Sequence, residues 1–308
     1  MVNSTRKDCR GSLTQVRFGA DLMNRILVIG ATGNVGRSVV TQLTECGARV
    51  RAMVRNPETA ALPPQVEVLR GDLTVPETFN DSLPGIDSVF LVWTAPPEAA
   101  ASAVECITGH ARRVVYLSAP LKTPHPAFQA SQPNPSSLLH EEIERLIQQS
   151  AVEWTILRPG MFASNALAWW APRIRTGDVV RWPYLAAPTA PIDQRDIASV
   201  AVRALLEKGH AGTDYVLTGP QSLTQLEQLS TIGRAIGRSL KTEEMTPEET
   251  RREWASTWSA PVVEMLLKSW AAAIGQPAYV TNTVAEVTGT PARTYFEWAS
   301  DHSQAFRA

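Results

Sequence analysis

The chain is short of the residues that carry several kinds of chemistry. It has three cysteines in 308 residues, Cys9, Cys46 and Cys106. They have no Cys-x-x-Cys spacing and no even pairing, which points to a reducing, cytoplasmic setting. Cys46 and Cys106 fall in helical patterns and read as apolar fillers. The five histidines (His110, His125, His140, His210 and His302) show no metal-ligand spacing with cysteines or carboxylates, so no metal site is expected. No apolar run approaches the roughly 20 residues that span a bilayer. A formal net charge of −1 gives no electrostatic case for a nucleic acid or an acidic membrane as partner. No Gly-x-Ser-x-Gly elbow is present, and no Gly-Lys-Ser/Thr follows the glycine turn described below. What remains as a partner is a small-molecule substrate, with monomer and homodimer both open.

Residues 1–22 are polar, lack periodicity and contain no apolar stretch of signal-peptide length. Met23 stands directly before the first strand pattern. The fold is expected to begin there, with residues 1–22 a loosely ordered extension or a start-site artefact.

The rest of the chain suits one large or two small domains with a substantial core, being 44% hydrophobic and 19% charged. Its most informative segment is 25–36, Arg-Ile-Leu-Val-Ile-Gly-Ala-Thr-Gly-Asn-Val-Gly. Ile26 to Gly30 reads as a buried parallel strand. Gly30, Gly33 and Gly36 follow at three-residue spacing, and then Val35, Val39, Val40 and Leu43 recur at helical intervals. Strand, glycine turn and helix place backbone N–H groups and the positive end of a helix dipole at one point. A dinucleotide pyrophosphate fits there, held by the backbone of Gly30, Thr32, Gly33, Asn34 and Val35. Gly30 permits the turn, Gly33 lets the backbone approach the phosphates, and Gly36 lets the helix pack near the strand.

Strands and helices then alternate. Strands are predicted over Arg49–Val54, Val66–Arg70, Ser88–Val92, Arg113–Ser118 and Trp154–Arg158. Helices are predicted over Asn34–Cys46, Glu77–Leu83, Pro97–His110 and Ser136–Ser150. The order implies an α/β fold, a doubly wound parallel sheet with helices on both faces and ligands at the carboxyl ends of its strands. Residues 23–158 form the expected nucleotide-binding domain. Residues 159–308 form a smaller, mainly helical substrate region or lid, with some segments returning to the sheet. Within it, helices are expected over Met161–Arg175, Asp196–Glu207 (capped by Asp196) and Leu223–Ile236, and a short strand over Tyr215–Thr218. Lys122–Pro135, rich in Pro, Ser and Gln, reads as a surface loop near the site.

The second strand ends without the Asp or Glu that would bond the ribose hydroxyls of NAD. Arg55 stands there, with Arg37 nearby. A guanidinium binds a 2′-phosphate where a carboxylate would repel it, so NADP(H) is favoured over NAD(H). The alternative for Arg55 is a solvated strand end. Asp72 and Leu73, after the third strand, either frame the adenine or form a plain turn.

Gly30-Ala-Thr-Gly33-Asn-Val-Gly36, Val54-Arg55-Asn56-Pro57 and Gly71-Asp72-Leu73 together resemble the NmrA-like branch of the atypical short-chain dehydrogenase/reductases. Tyr116-Leu-Ser-Ala119, His140-Glu-Glu-Ile-Glu144, Trp154 to Asn165 with its Arg-Pro-Gly-x-Phe-x-x-Asn segment, and Pro191-Ile-Asp-x-x-Asp196-Ile-Ala198 agree. The resemblance spans about residues 23–240 and implies a Rossmann cofactor domain binding NADP(H). Members of that branch include quinone and dye reductases, natural-product pathway reductases and non-catalytic redox-sensing regulators, so the fold leaves the activity open.

Typical short-chain reductases carry Tyr-x-x-x-Lys on the helix after the fifth strand. Here the aligned positions hold Ser136 and His140. His140 is a candidate substitute acid, or else a helix histidine facing ribose or solvent. Ser118 matches the usual serine, and with Pro159 and Trp93 it is expected to border the nicotinamide. Trp93, Met161, Phe162, Asn165 and Trp169 are candidates for a flat, apolar substrate pocket. Trp254 and Trp258 are expected to share one helix face. Three functions follow: an NADPH-dependent oxidoreductase passing hydride to a conjugated or aromatic acceptor, a nucleotide-sensing regulator without turnover, or a non-redox member.

Overall fold

A computed structural model describes residues 25–177 and 179–307. The expectations for residues 1–22, Met23 and Cys9 lie outside the described residues.

The first half runs β1 (Arg25–Ile29), α1 (Asn34–Glu45), β2 (Arg49–Val54), β3 (Glu67–Arg70), β4 (Ser88–Val92), α2 (Ala100–Thr108), β5 (Arg113–Leu117), a single turn α3 (Pro126–Gln129), α4 (Pro135–Gln149) and β6 (Glu153–Pro159). The central strands β1, β4 and β5 carry unbroken apolar runs because both faces are covered. Ile26, Leu27, Val28, Val89, Phe90, Leu91, Val114, Val115 and Tyr116 all have no exposed surface. The helix predicted over Glu77–Leu83 is only a 3-10 turn, Pro76–Phe79. Pro84 disfavours helical geometry at Leu83, and too few residues precede it for a stable helix. The loop at 122–135 contains α3, whose first turn is capped by the His125 ring accepting from the Ala127 N–H at 3.2 Å.

The second half runs α5 (Asn165–Trp169), α6 (Ala171–Thr176), β7 (Val179–Pro183), β8 (Pro188–Thr189), α7 (Gln194–Leu206), β9 (Thr213–Leu217), β10 (Leu223–Thr224), α8 (Gln225–Ile236), β11 (Lys241–Met245), α9 (Pro247–Trp254), α10 (Ala260–Ala273), α11 (Thr283–Thr288) and α12 (Tyr295–Asp301). The single helix expected over Met161–Arg175 is broken twice. Met161 to Ala163 instead exchange backbone hydrogen bonds with Ile192, at 2.9 Å each way. Pro172, which lacks an N–H, then separates α5 from α6. The cap of α7 is Asp193, not Asp196: the Asp193 carboxylate accepts from the Arg195 N–H at 2.8 Å. Asp196 is buried one turn later, where it accepts from the Arg293 N–H at 2.7 Å. The helix expected from Leu223 starts at Gln225, because Thr224 and Glu227 form a capping box. α9 ends at Trp254, so Trp258 lies beyond the helix, although the two rings remain 6.3 Å apart.

Seven parallel strands form one sheet in the order β3-β2-β1-β4-β5-β6-β9. The order reverses between β1 and β4, so a crevice opens at their carboxyl ends, beside the glycine turn. On one face α1 and α7 share a core with α11, in which Val39, Val40 and Leu43 join Ile197, Ala198 and Ala201. On the other face α2 and α4 cover Leu27, Leu91 and Tyr116. A separate core is built around tryptophans. Trp182 lies 5.7 Å from Trp169, 5.6 Å from Trp170, 4.7 Å from Trp254 and 5.8 Å from Trp270, between ring centroids. Its buried N–H donates to Gln225 Oε1 at 2.6 Å. Among the described residues, no helix is long and apolar enough to cross a membrane.

Candidate active site

The three glycines of the turn differ in what requires them. Gly30 has a φ of +83°, and a Cβ there would fall 2.7 Å from the Val92 Cβ. A Cβ on Gly36 would fall 2.1 Å from the Gly30 carbonyl oxygen, so its lack of a side chain lets α1 lie against β1. Gly33 answers to neither demand. Its φ of −80° suits any residue, and the nearest protein atom to an added Cβ is 3.4 Å away. The fold itself does not need a glycine there, whereas a ligand lying on the backbone does. α1 begins with no side-chain cap, which leaves its first amides pointing at the same exposed spot as Thr32, Gly33 and Asn34. The residues present therefore fit a pyrophosphate. Val35 is buried, so only its backbone is available. The Asn34 amide reaches Ser164 Oγ at 3.4 Å and links the turn to the segment after β6.

Arg37 is committed to the protein. Its guanidinium donates to the carbonyls of Thr32 (3.0 Å), Ala61 (2.9 Å) and Ala60 (2.9 Å). It braces the glycine turn rather than facing a phosphate. Arg55 is exposed at the end of β2. The Asp72 carboxylate accepts from the Thr74 N–H (2.9 Å) and hydroxyl (2.8 Å). These bonds, with the nearby Arg55 charge, hold its pKa below the usual aspartate value. Leu73 is buried against the core below the sheet and offers a ligand almost no surface.

Beyond the ends of β5 and β6 lies a cavity of about 400 Å³, within the range of small-molecule sites. Ser118, Pro159, Met161, Phe162 and Asn165 line it. Trp93 and Trp169 do not. The Trp93 indole turns back to donate to the Ala95 carbonyl at 2.6 Å. Trp169 belongs to the tryptophan core. The far wall comes from α3 (Ala127, Phe128) and from α10, through Met265, Leu266, Ser269 and Trp270. Ala278 and Tyr279 add a strap over it. No sequence motif marked α10 or the strap; only the apolar spacing of Val263, Leu266, Leu267 and Trp270 gave a signal, and that shows a buried face without its partner. Among the described residues, the cavity wall contains no Asp, Glu, Lys or Arg.

His140 is not part of that wall. Its Nδ1 lies 2.6 Å from the hydroxyl of fully buried Tyr116. Burial pushes the His140 pKa down and the Tyr116 pKa up. Ser118 does face the cavity, but its hydroxyl donates to Glu144 Oε1. Arg158 grips the same carboxylate with two bonds, of 2.6 and 2.8 Å, and reaches Asp214 at 2.8 Å with its Nε. This buried network was missed as a unit. Its signal was an ion of each sign set in an apolar context, Glu144 between Ile143 and Ile147, and Arg158 after Ile156 and Leu157.

Residues 30–208 match the family model described as NAD(P)H-binding. The chain belongs to that family. It is 37% identical over 288 residues to (4-alkanoyl-5-oxo-2,5-dihydrofuran-3-yl)methyl phosphate reductase of Streptomyces griseus, covering 91% of this chain and 99% of the relative. It is 32% identical over 288 residues to NAD(P)H azoreductase of Xenophilus azovorans, covering 92% and 99%. The structure superposes on the triphenylmethane reductase of Citrobacter sp. complexed with NADP(H), with a TM-score of 0.74 at 19% identity over 91% of this chain and 99% of that one. At that identity the superposition speaks for the fold, which is the Rossmann-like α/β arrangement of NAD(P)-binding reductases.

Proposed function

We propose that the protein is an NADPH-dependent reductase that passes hydride to a small conjugated or aromatic acceptor such as a quinone, a dye or a pathway intermediate. The observation that carries this is the pairing of two features at one edge of the sheet. One is a glycine turn whose central glycine is unexplained without a ligand. The other is an adjoining cavity with aromatic walls and no ionic group.

The backbone of Thr32 to Val35 would hold the pyrophosphate, Arg55 the 2′-phosphate, and Ser118 and Pro159 would border the nicotinamide. The bound nucleotide supplies the hydride and the two electrons. The protein does the rest. Ser118, with its proton committed to Glu144, presents lone pairs to the cavity and accepts a hydrogen bond from a ligand amide. Phe128, Phe162 and Trp270 stack a flat acceptor and exclude water. An uncharged wall disfavours anionic acceptors, since nothing there offsets the loss of their hydration. A cavity roofed by α10 and the strap also favours turnover over the alternative of a nucleotide sensor, which needs no second chamber.

The test is loss of NADPH absorbance with a panel of quinones, azo dyes and unsaturated lactones. Saturable turnover that disappears in Gly33→Asp supports the reading. Tight NADPH binding without oxidation, across the whole panel, overturns it in favour of the sensor.

A further inference from the structure

Resting on the reductase reading above, we propose that Tyr279 is the catalytic acid that protonates acceptors unable to be reduced by hydride alone. A saturated carbonyl product needs a proton as well as a hydride, and a donor must stand in the cavity. Among the described residues the wall contains no lysine and no carboxylic acid. Its serine and threonine hydroxyls are aliphatic, and far weaker acids than a phenol. His125 is spent: Nδ1 accepts from the Ala127 N–H, and Nε2 donates to the Pro277 carbonyl at 2.9 Å. Among the described residues Tyr279 is the one phenol in the wall, and its hydroxyl has no hydrogen-bond partner.

The strap holds this ring where it is needed. Thr281 donates its N–H to Thr218 Oγ1 at 2.9 Å and its hydroxyl to the Val216 carbonyl at 3.0 Å. Ala278 donates to Ser222 Oγ at 2.8 Å. With His125 on Pro277, these bonds pin residues 277–281 over the carboxyl end of β9. There Leu217 pairs with Pro159 of β6, the expected border of the nicotinamide. Tyr279 is half-buried, so one side of it reaches solvent.

The balance is simple. The acceptor carbon gains a hydride, with its two electrons, from the reduced nicotinamide nucleotide, which is oxidised. The C=C π electrons of the unsaturated lactone shift toward its carbonyl as an enolate. The Tyr279 O–H bond breaks as a new C–H bond forms at the α carbon, the carbonyl is restored, and water returns a proton to the phenolate.

Tyr279→Phe keeps the ring and removes the proton. It is to be assayed with three acceptors of falling proton demand: an unsaturated lactone, a quinone and a cationic triarylmethane dye, whose hydride adduct is already neutral. The expected result is a loss of about tenfold or more with the lactone, less than about threefold with the quinone, and no change with the dye. A saturated lactone, which accepts no hydride here, should also bind several-fold more weakly to the nucleotide-free variant in calorimetry, because it loses the phenol donor. Equal losses with all three acceptors would make Tyr279 a packing residue and overturn the proposal. So would an unchanged lactone rate, or a wild type that reduces quinones but no lactone. If the wild type binds NADPH and reduces nothing, it is the reductase reading that falls, and this proposal with it.

Discussion

Arg158 and Glu144 face each other across a two-pronged ion pair in which only 1% and 3% of the side chains are exposed. The pair lies directly behind Ser118, whose hydroxyl shares the Glu144 carboxylate. Its burial makes each partner dependent on the other. Arg158→Met should cost about 3–5 kcal/mol in urea unfolding, because it strands a carboxylate in the core. Replacing Glu144 by Met as well should recover part of that loss. A single mutant as stable as the wild type would mean that water reaches the pair.

Gly33 and Gly36 should separate binding from folding. Gly36→Ala drives a methyl group into the Gly30 carbonyl and should cost at least about 2 kcal/mol in stability. Gly33→Ala meets only ordinary contacts and should cost below about 1 kcal/mol, yet weaken NADPH binding by about tenfold or more, measured by calorimetry. Equal behaviour of the two variants would remove the case for a ligand over Gly33.

Arg55→Ala should weaken NADPH by about tenfold or more, as expected for a charge-assisted contact to phosphate, and leave NADH nearly unchanged. A wild-type preference for NADH would refute the assignment. Arg37→Ala should behave differently. It unties the glycine turn from Ala60 and Ala61 and should weaken both nucleotides alike.

Acid should loosen the fold through two histidines. Burial holds His140 and His210 below the ordinary histidine value of 6.5. As pH falls past that value, the unfolded chain takes up protons that the folded chain refuses. Stability is therefore full above the unfolded value and is lost as pH falls through the folded one, by at most about 1.4 kcal/mol per pH unit for each ring. Urea midpoints at about pH 7.5 and about pH 5.5 measure the loss. His140→Gln, which keeps a partner for the Tyr116 hydroxyl, should remove part of it. A flat profile across that window would show that both rings charge freely.

Much of the sheet was legible because its signals are local. A buried parallel strand is an uninterrupted apolar run, and the positions of β1 and β4 follow from Ile26–Ile29 and Val89–Val92. Gly30 and Gly36 were readable for the same reason, since turn and close packing act within a dozen residues. The cavity was not. Its wall joins Ser118 to Met265 and Tyr279, over 140 residues along the chain, and nothing in the periodicity of α10 says which core it meets. Trp93 and Trp169 misled because a large flat side chain suits a pocket and a core equally well. His140 misled because spacing places it on the helix, while the helix face it occupies depends on Tyr116 in β5.

Trp270 belongs to two neighbourhoods at once, the wall of the cavity and the cluster of indoles around Trp182. Excitation absorbed by any member of that cluster can migrate over such short separations to the ring that borders the chamber. An acceptor that quenches Trp270 would then darken its neighbours too, giving the unlabelled protein an intrinsic optical gauge of occupancy.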